Sequence, residues 1–217
     1  MSHPADGFTT IVHPEVVQYL DALVAPTCRL HAALHAHAVE RGFPLVGLQS
    51  GRACELFARM VGARRVFEMG AGFGYSAYFF ARAVGEGGMV IGAERDAHEI
   101  AAFDKLYGGH KFRARVDIRH GDAFEVLAAA EGSFDVIFLD LQKSAYPEAL
   151  DVAVERLRPG GLLLADNVLW GGKVARDASD PDTLALQAFN RELVVDPRVE
   201  ATILAVGDGL AVARRRG

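Results

Sequence analysis

The chain has 217 residues, about half of them apolar and about a quarter charged, which suits one globular domain with a buried core. Lys plus Arg number 23 and Asp plus Glu 28, a formal net charge of −5. That balance excludes the concentrated basic face of a nucleic-acid binder, and no run approaches the ~18 apolar residues of a membrane span. The one dense basic run, Ala213 to Arg216, reads as a solvated chain end. The opening MSHPADGFTT lacks the basic-then-apolar layout of a signal peptide, and Cys28 and Cys54 have no metal-ligand spacing. A reducing cytoplasm is the expected compartment.

The first third reads as helices. Pro14 opens a helix through Val16, Val17, Leu20, Leu23 and Val24, and Pro26 interrupts it. Residues 28–41 continue in spacings of three and four until Gly42-Phe43-Pro44 breaks the pattern. Ser50 is placed as the N-cap of a helix through Leu56, Phe57 and Met60 that closes near Gly62. Beyond Arg65 strands alternate with helices. Strands are expected over 66–70, 89–94, 114–120 and 134–140. Between them fall a helix over 75–84, one capped by Asp96 toward Tyr107, and a short one opened by Asp122 through Leu127. A helix over 146–157 closes at Arg158-Pro159-Gly160-Gly161, and LLLADN (162–167) is a fifth strand. A helix near 181–194 and two strands, 199–205 and 210–214, follow, with Gly207-Asp208-Gly209 as a hairpin turn. The alternation indicates a parallel sheet with helices on both faces. With no repeat and no low-complexity linker, 1–217 is expected to be a single domain. Residues 1–62 are its helical region and 63–217 its α/β core.

In such sheets ligands bind beyond the carboxyl ends of the strands. There the chain places 70–76, Glu94, 121–123, 140–143, and Asp166 with Asn167. EMGAGFGYS (68–76) is a glycine-rich turn between strand and helix. Gly70, Gly72 and Gly74 let the backbone approach a ligand, and the amides that follow can meet an anionic group. Glu94 stands where an acid binds ribose hydroxyls. The spacing is G-x-G-x-G. A dinucleotide fingerprint needs glycine at 75, where Tyr75 stands, so an S-adenosylmethionine site is favoured over a nicotinamide one. Glu68, an acid inside a strand, either faces a ligand's ammonium group or partners a buried polar group.

Asp140 ends strand four after VIFL, and Asp166 and Asn167 end strand five after LLLA. Adjacent strands lie ~5 Å apart, so the two ends can converge. Two carboxylates and an amide oxygen suit a hard divalent cation such as Mg2+; alternatively Asp166 and Asn167 cap a turn. Lys143 beside a cation is a candidate base toward a substrate hydroxyl, or else a solvated loop lysine. Tyr146 either packs over the site or opens the next helix. Trp170 is an apolar wall with Gly171-Gly172 as a hinge, or a core aromatic. Asp122 touches adenine or caps its helix. For His31, His35 and His37, a polar helix face or dimer surface is favoured over a transition-metal site.

FEMGAGFGYS, FLDLQKSAYP, LLLADNVLWGGKV and GDGLAVARR together resemble the small cation-dependent O-methyltransferases, which include the catechol and caffeoyl-coenzyme-A enzymes and their bacterial relatives. The resemblance runs from about Ser50 to the C-terminus. It implies a Rossmann-like class I methyltransferase fold: a mostly parallel seven-stranded sheet, a C-terminal antiparallel hairpin and extra N-terminal helices. It implies S-adenosylmethionine as donor, with Glu68, Gly70, Tyr75, Ser76 and Glu94 as contacts; Gly72 and Gly74 of the same turn, and Asp122, Ala123 and Asp140 at the strand ends, are expected to join them. Mg2+ or another divalent cation is expected on Asp140, Asp166 and Asn167. Lys143 is the expected base, with Asp140 also in a catalytic role. The implied acceptor is a small vicinal-diol aromatic, and the implied assembly a homodimer. A methyltransferase with a non-catechol acceptor is the alternative, a nicotinamide-dependent oxidoreductase a more distant one. The chain departs from its relatives at Gln142, where many read D-A-D-K, and within the GAGFGYS turn.

Overall fold

Strands with long apolar runs have no side to turn to water, and here they occupy the middle of a sheet. The computed structural model describes residues 13–24, 28–110 and 112–217. In it β1 (Arg65–Met69), β2 (Met89–Glu94), β3 (Arg115–His120), β4 (Phe134–Leu139), β5 (Leu157–Ala165), β6 (Val199–Leu204) and β7 (Leu210–Arg215) form one sheet in the order β3-β2-β1-β4-β5-β7-β6. The first five pair in parallel, and β7 runs antiparallel to both β5 and β6. This is the expected fold class. Strand order reverses between β1 and β4, the place where such sheets open a ligand crevice.

The helices are α1 (Pro14–Leu23), α2 (Arg29–Arg41), α3 (Leu48–Met60), α4 (Tyr75–Val84), α5 (Ala97–Tyr107), α6 (Ala123–Ala129), α7 (Tyr146–Arg156) and α8 (Pro181–Val195). Alternation along the strands divides the core in two. Val66, Val90, Val136, Phe138, Leu162 and Leu164 pack with α2, α3 and α4. Their neighbours Phe67, Met69, Ile91, Ile137, Leu139 and Leu163 pack with α6, α7 and α8 on the other face. Leu30, Leu34 and Ala38 of α2 belong to the first cluster, so the N-terminal helices share a core with the sheet. Gly51 makes this close: a Cβ there would stand 2.5 Å from the Phe79 ring.

Two local expectations are corrected. Helix α3 starts at Leu48 with Gly47 at its N-cap, and Ser50 lies buried in the first turn. The helix extends back because Leu48 packs on the core, and a small residue at 50 lets Gly207 approach. Strand β5 starts at Leu157, not Leu162. Phe134 pairs with Leu157 and Val136 with Leu162, so 158–161 form a bulge within the ladder, with Gly160 at φ 75°. The break assigned to Pro26 lies outside the described residues. No helix among the described residues is long and apolar enough to cross a membrane.

Candidate active site

The glycine turn leaves β1 at Gly70, whose φ is 90°. A Cβ there would stand 2.2 Å from the Asp140 carbonyl oxygen, so any side chain would wedge the ends of β1 and β4 apart. The Gly72 amide donates to Glu94 Oε2 (2.8 Å) and the Asp96 amide to Glu94 Oε1 (2.8 Å), which holds the Glu94 carboxylate at the mouth of the turn. Gly74 also meets a packing demand: its φ is 85°, a Cβ would stand 2.8 Å from the Phe103 ring, and its carbonyl accepts from the Tyr107 hydroxyl (2.6 Å).

A cavity of about 590 Å3 opens over the strand ends, and Gly70, Gly72, Tyr75, Ser76, Glu94, Asp140, Lys143 and Asn167 are among its walls. A second hollow of about 280 Å3 shares Gly70, Glu94 and Asp140 with it and adds Asp122 and Ala123. Asp122 lines this hollow while capping α6 through the Phe124 (2.8 Å) and Glu125 (3.2 Å) amides and pairing with Arg95. Glu68 lies fully buried below the turn, and neither carboxylate oxygen has a hydrogen-bond partner of good geometry. Burial pushes its carboxyl up to about 8; the nearby Ser76 hydroxyl opposes this and the Asp140 charge adds to it. Such a carboxylate could take a ligand's ammonium group.

At the other end, β4–β5 pairing sets Leu139 opposite Ala165, so Asp140 and Asp166 are the next residues on neighbouring strands. The Asp140 amide donates to the Met69 carbonyl (2.9 Å) and the Asp166 amide to the Leu139 carbonyl (3.1 Å). Lys143 Nζ, nearly buried, donates to Asp140 Oδ1 (3.3 Å), Asn167 Oδ1 (2.9 Å) and the Tyr146 hydroxyl (2.9 Å), which uses all three N–H bonds of an ammonium. The single hydrogen of the Tyr146 hydroxyl is shared between the carbonyls of Asp166 (2.9 Å) and Leu139 (3.2 Å), so one hydroxyl ties two strand ends to the lysine. Asp166 is 2% exposed and its Oδ1 has no partner. Burial and then the Asp140 charge push its carboxyl up to about 7. Burial raises the Asp140 carboxyl too, against the Lys143 charge.

This oxygen set could hold a hard divalent cation. Among the described residues no group of three His, Cys, Asp or Glu side chains forms a metal site, and the set reaches three donors only through the Asn167 amide. Asn167 (φ 58°) and Trp170 (φ 49°) have left-handed backbones, unusual for non-glycine residues and concentrated at this turn. The β6–β7 hairpin holds them there. Gly209 and Asp208 carbonyls accept from the Val168 (3.1 Å) and Leu169 (3.0 Å) amides, and Asp208 Oδ1 accepts from the Gly171 amide (2.5 Å).

Sequence reasoning missed part of the wall. Phe43 and Pro44, read only as a helix break, line the main cavity together with Leu45 and Val46, as do Ser144 and Asp182. An apolar run directly after a glycine C-cap was the available signal for the first four. Trp170 is in the wall, with Lys143 Nζ 5.9 Å and Lys173 Nζ 5.6 Å from its ring centroid. The three histidines do not converge. His31 is buried and stacked on Tyr78 (4.8 Å), His35 is exposed, and His37 accepts from Arg41 (3.0 Å).

An antiparallel β7 between β5 and β6, beside a crevice at the β1–β4 switch, is the arrangement of class I methyltransferases. The O-methyltransferase family model matches residues 30–216. A catechol O-methyltransferase of Niastella koreensis is 34% identical over 205 residues, covering 89% of each chain. A caffeoyl-CoA O-methyltransferase of Petroselinum crispum is 30% identical over 182 residues, covering 76% of this chain and 74% of the relative. Among solved structures, an O-methyltransferase from Bacillus cereus in complex with SAH superposes with a TM-score of 0.83 at 26% identity, over 96% of this chain and 98% of the other. The chain belongs to this family of S-adenosylmethionine-dependent O-methyltransferases.

Proposed function

We propose that this enzyme methylates one hydroxyl of a small vicinal-diol aromatic, with a divalent cation held by Asp140, Asp166 and Asn167. The observation that carries the reading is the buried Asp166 carboxylate, one oxygen unpartnered, beside a second carboxylate on the neighbouring strand. Two such groups repel unless a cation joins them. The name of the Niastella relative supports the acceptor class. Bound on these three side chains, the cation supplies Lewis acidity that lowers the pKa of a neighbouring hydroxyl.

Glu68 and the 70–76 turn hold the methionine end of the donor, Glu94 its ribose, and Asp122 and Ala123 border its adenine. The donor supplies an electrophilic methyl group on sulfonium. Alignment of acceptor oxygen and methyl carbon is the main catalytic task, and it falls to rigid strand ends. Lys143, whose Nζ stands among Asp140, Asn167 and Tyr146 at the reactive end, is the base that takes the proton of the acceptor hydroxyl. Phe43, Leu45, Val46 and Trp170 exclude water from a reaction in which charge is neutralised.

The test is turnover of catechol with labelled S-adenosylmethionine before and after chelation. Chelation is expected to abolish turnover and Mg2+ to restore it. Asp140→Ala and Asp166→Ala are expected to lose cation-dependent turnover while still binding the donor. Full activity in chelator overturns the proposal. The same reading makes the protein a cytoplasmic homodimer. Val16, Tyr19 and Leu23 on α1 and Leu56 and Met60 on α3, which α1 packs against, are exposed apolar groups that a second copy would cover. Light scattering at micromolar concentration checks it, and a monomer mass overturns it.

A further inference from the structure

The donor end of the cavity has two walls that lie far apart in the sequence, and one ion pair joins them. The first wall leaves α2 at Gly42, whose φ of 60° turns the backbone so that the Phe43 amide donates back to the Ala38 carbonyl (3.0 Å). Phe43 then packs onto the glycine turn. A Cβ on Gly72 would stand 3.3 Å from the tip of the Phe43 ring, and that ring meets Phe73 edge-on at 5.1 Å. The second wall is the start of α5. The amide of its N-cap, Asp96, donates to Glu94 Oε1 (2.8 Å), and the Gly72 amide holds the other Glu94 oxygen. Phe43, Gly72 and Glu94 all line the cavity.

Arg41, in the last turn of α2, spans the two walls. Its Nη1 donates to Glu99 Oε2 (3.0 Å) and its Nη2 to Glu99 Oε1, a forked pairing that a lysine cannot reproduce. Glu99 lies in the first turn of α5 and is 5% exposed, so its carboxylate depends on this partner. Arg41 Nη1 also donates to His37 Nε2 (3.0 Å), and His37 meets the Phe73 ring edge-on at 5.0 Å. The Arg41 guanidinium lies 5.5 Å from the Phe43 ring centroid. One side chain thus links the apolar rim at Phe43 to the helix start that holds Glu94. Neither Arg41 nor Glu99 is among the described walls of the two hollows, so what they do for a ligand they do through Phe43 and Glu94.

Resting on the placement of the donor's ribose at Glu94 proposed above, we infer that Arg41 and Glu99 are a positioning pair for the donor: their clasp holds the Phe43 rim against the ribose acid and slows the departure of S-adenosylmethionine and of its product S-adenosylhomocysteine. The reactive end is held by other elements, β4, β5 and the 167–172 turn. Opening the clasp therefore loosens the donor and leaves the acceptor's contacts in place.

The experiment measures S-adenosylhomocysteine binding by calorimetry, its dissociation by stopped-flow displacement, and KM for donor and catechol. The proteins are wild type, Arg41→Gln, Glu99→Gln, the double variant and Glu94→Gln. Each single clasp variant is expected to raise the S-adenosylhomocysteine Kd and its dissociation rate by about tenfold, and donor KM with them, while catechol KM stays within about twofold. The double variant leaves no buried charge unpaired, so it folds where a single variant is too unstable to assay, and its losses are expected to match the singles without multiplying. Losses that multiply, a dissociation rate unmoved in the double variant, or an equal rise in catechol KM overturns the inference. Where Glu94→Gln weakens S-adenosylhomocysteine binding in the same series, the donor placement survives that failure. Glu94→Gln that binds S-adenosylhomocysteine as wild type does overturns the placement and this inference with it. The binding measurements need no acceptor, so they decide the inference whatever the enzyme methylates.

Discussion

A carboxylate that is 2% exposed, with an oxygen that has no partner, destabilises the fold holding it. For Asp166 the carboxyl rises from 3.8 to about 7. Below pH 3.8 the group is neutral folded or unfolded and carries no penalty. The penalty grows between those values and is complete above pH 7. In chelator at pH 8, Asp166→Asn is therefore expected to melt higher than wild type while its cation-dependent turnover is lost. A lower melting temperature would show a carboxylate already partnered. Glu68 follows the same sign, rising from 4.5 to about 8, so the unliganded protein loses stability as pH climbs through that interval. An ammonium group arriving at Glu68 reverses the shift and expels a proton. Calorimetry in buffers of different ionisation enthalpy should detect that proton near pH 7, and Glu68→Gln should remove it and weaken donor binding about tenfold or more. Tyr146→Phe deletes a buried hydroxyl that serves Lys143 and two strand-end carbonyls. It should destabilise by about 1–3 kcal/mol and lower kcat more than it changes KM.

At the scale of elements, the reactive end depends on a hairpin distant in sequence. The turn of 167–172 has two left-handed non-glycine residues, and the β6–β7 turn braces it through Asp208 and Gly209. Gly209 has φ 91°, and a Cβ there would stand 2.4 Å from the Leu169 side chain and 2.7 Å from its amide nitrogen. Gly209→Ala should cost about 1–3 kcal/mol of stability and depress turnover while donor affinity stays within about twofold, because the glycine turn lies on β1. Equal losses of turnover and donor binding would show that the whole site had moved. Gly-Asp-Gly was legible as a hairpin turn because turn chemistry is local. What the hairpin supports was not legible, since only antiparallel insertion of β7 beside β5 brings 208–209 under 167–172. Ser50 shows the same limit. A serine before an apolar run looks like a cap, yet it is buried so that Gly207 can approach.

For the whole molecule, we propose that 1–217 is one folding unit. Leu30, Leu34, Ala38, Val46 and Cys54 sit in the same cluster as Phe80, Val90 and Phe138, and Arg41 at the end of α2 pairs with the buried Glu99 of α5. Calorimetry should show one transition whose calorimetric and van't Hoff enthalpies agree. Arg41→Ala should lower that transition by leaving the Glu99 carboxylate unpaired. A separate early transition for the helical region would overturn the single unit.

The order of strands and helices, the glycine turn, Glu94 after β2 and the Asp140, Asp166 and Asn167 positions were determined by the sequence by itself. Each is written within about ten residues, in apolar alternation and in turn chemistry that needs no distant partner. Tertiary structure alone decided that Gly74 leaves room for the Phe103 ring, that 158–161 bulge inside β5, and that Phe43 and Asp182 join one wall. Those outcomes depend on which surfaces meet when separate segments close around a shared core, and the pattern of residues within any one segment carries no record of its neighbour in space.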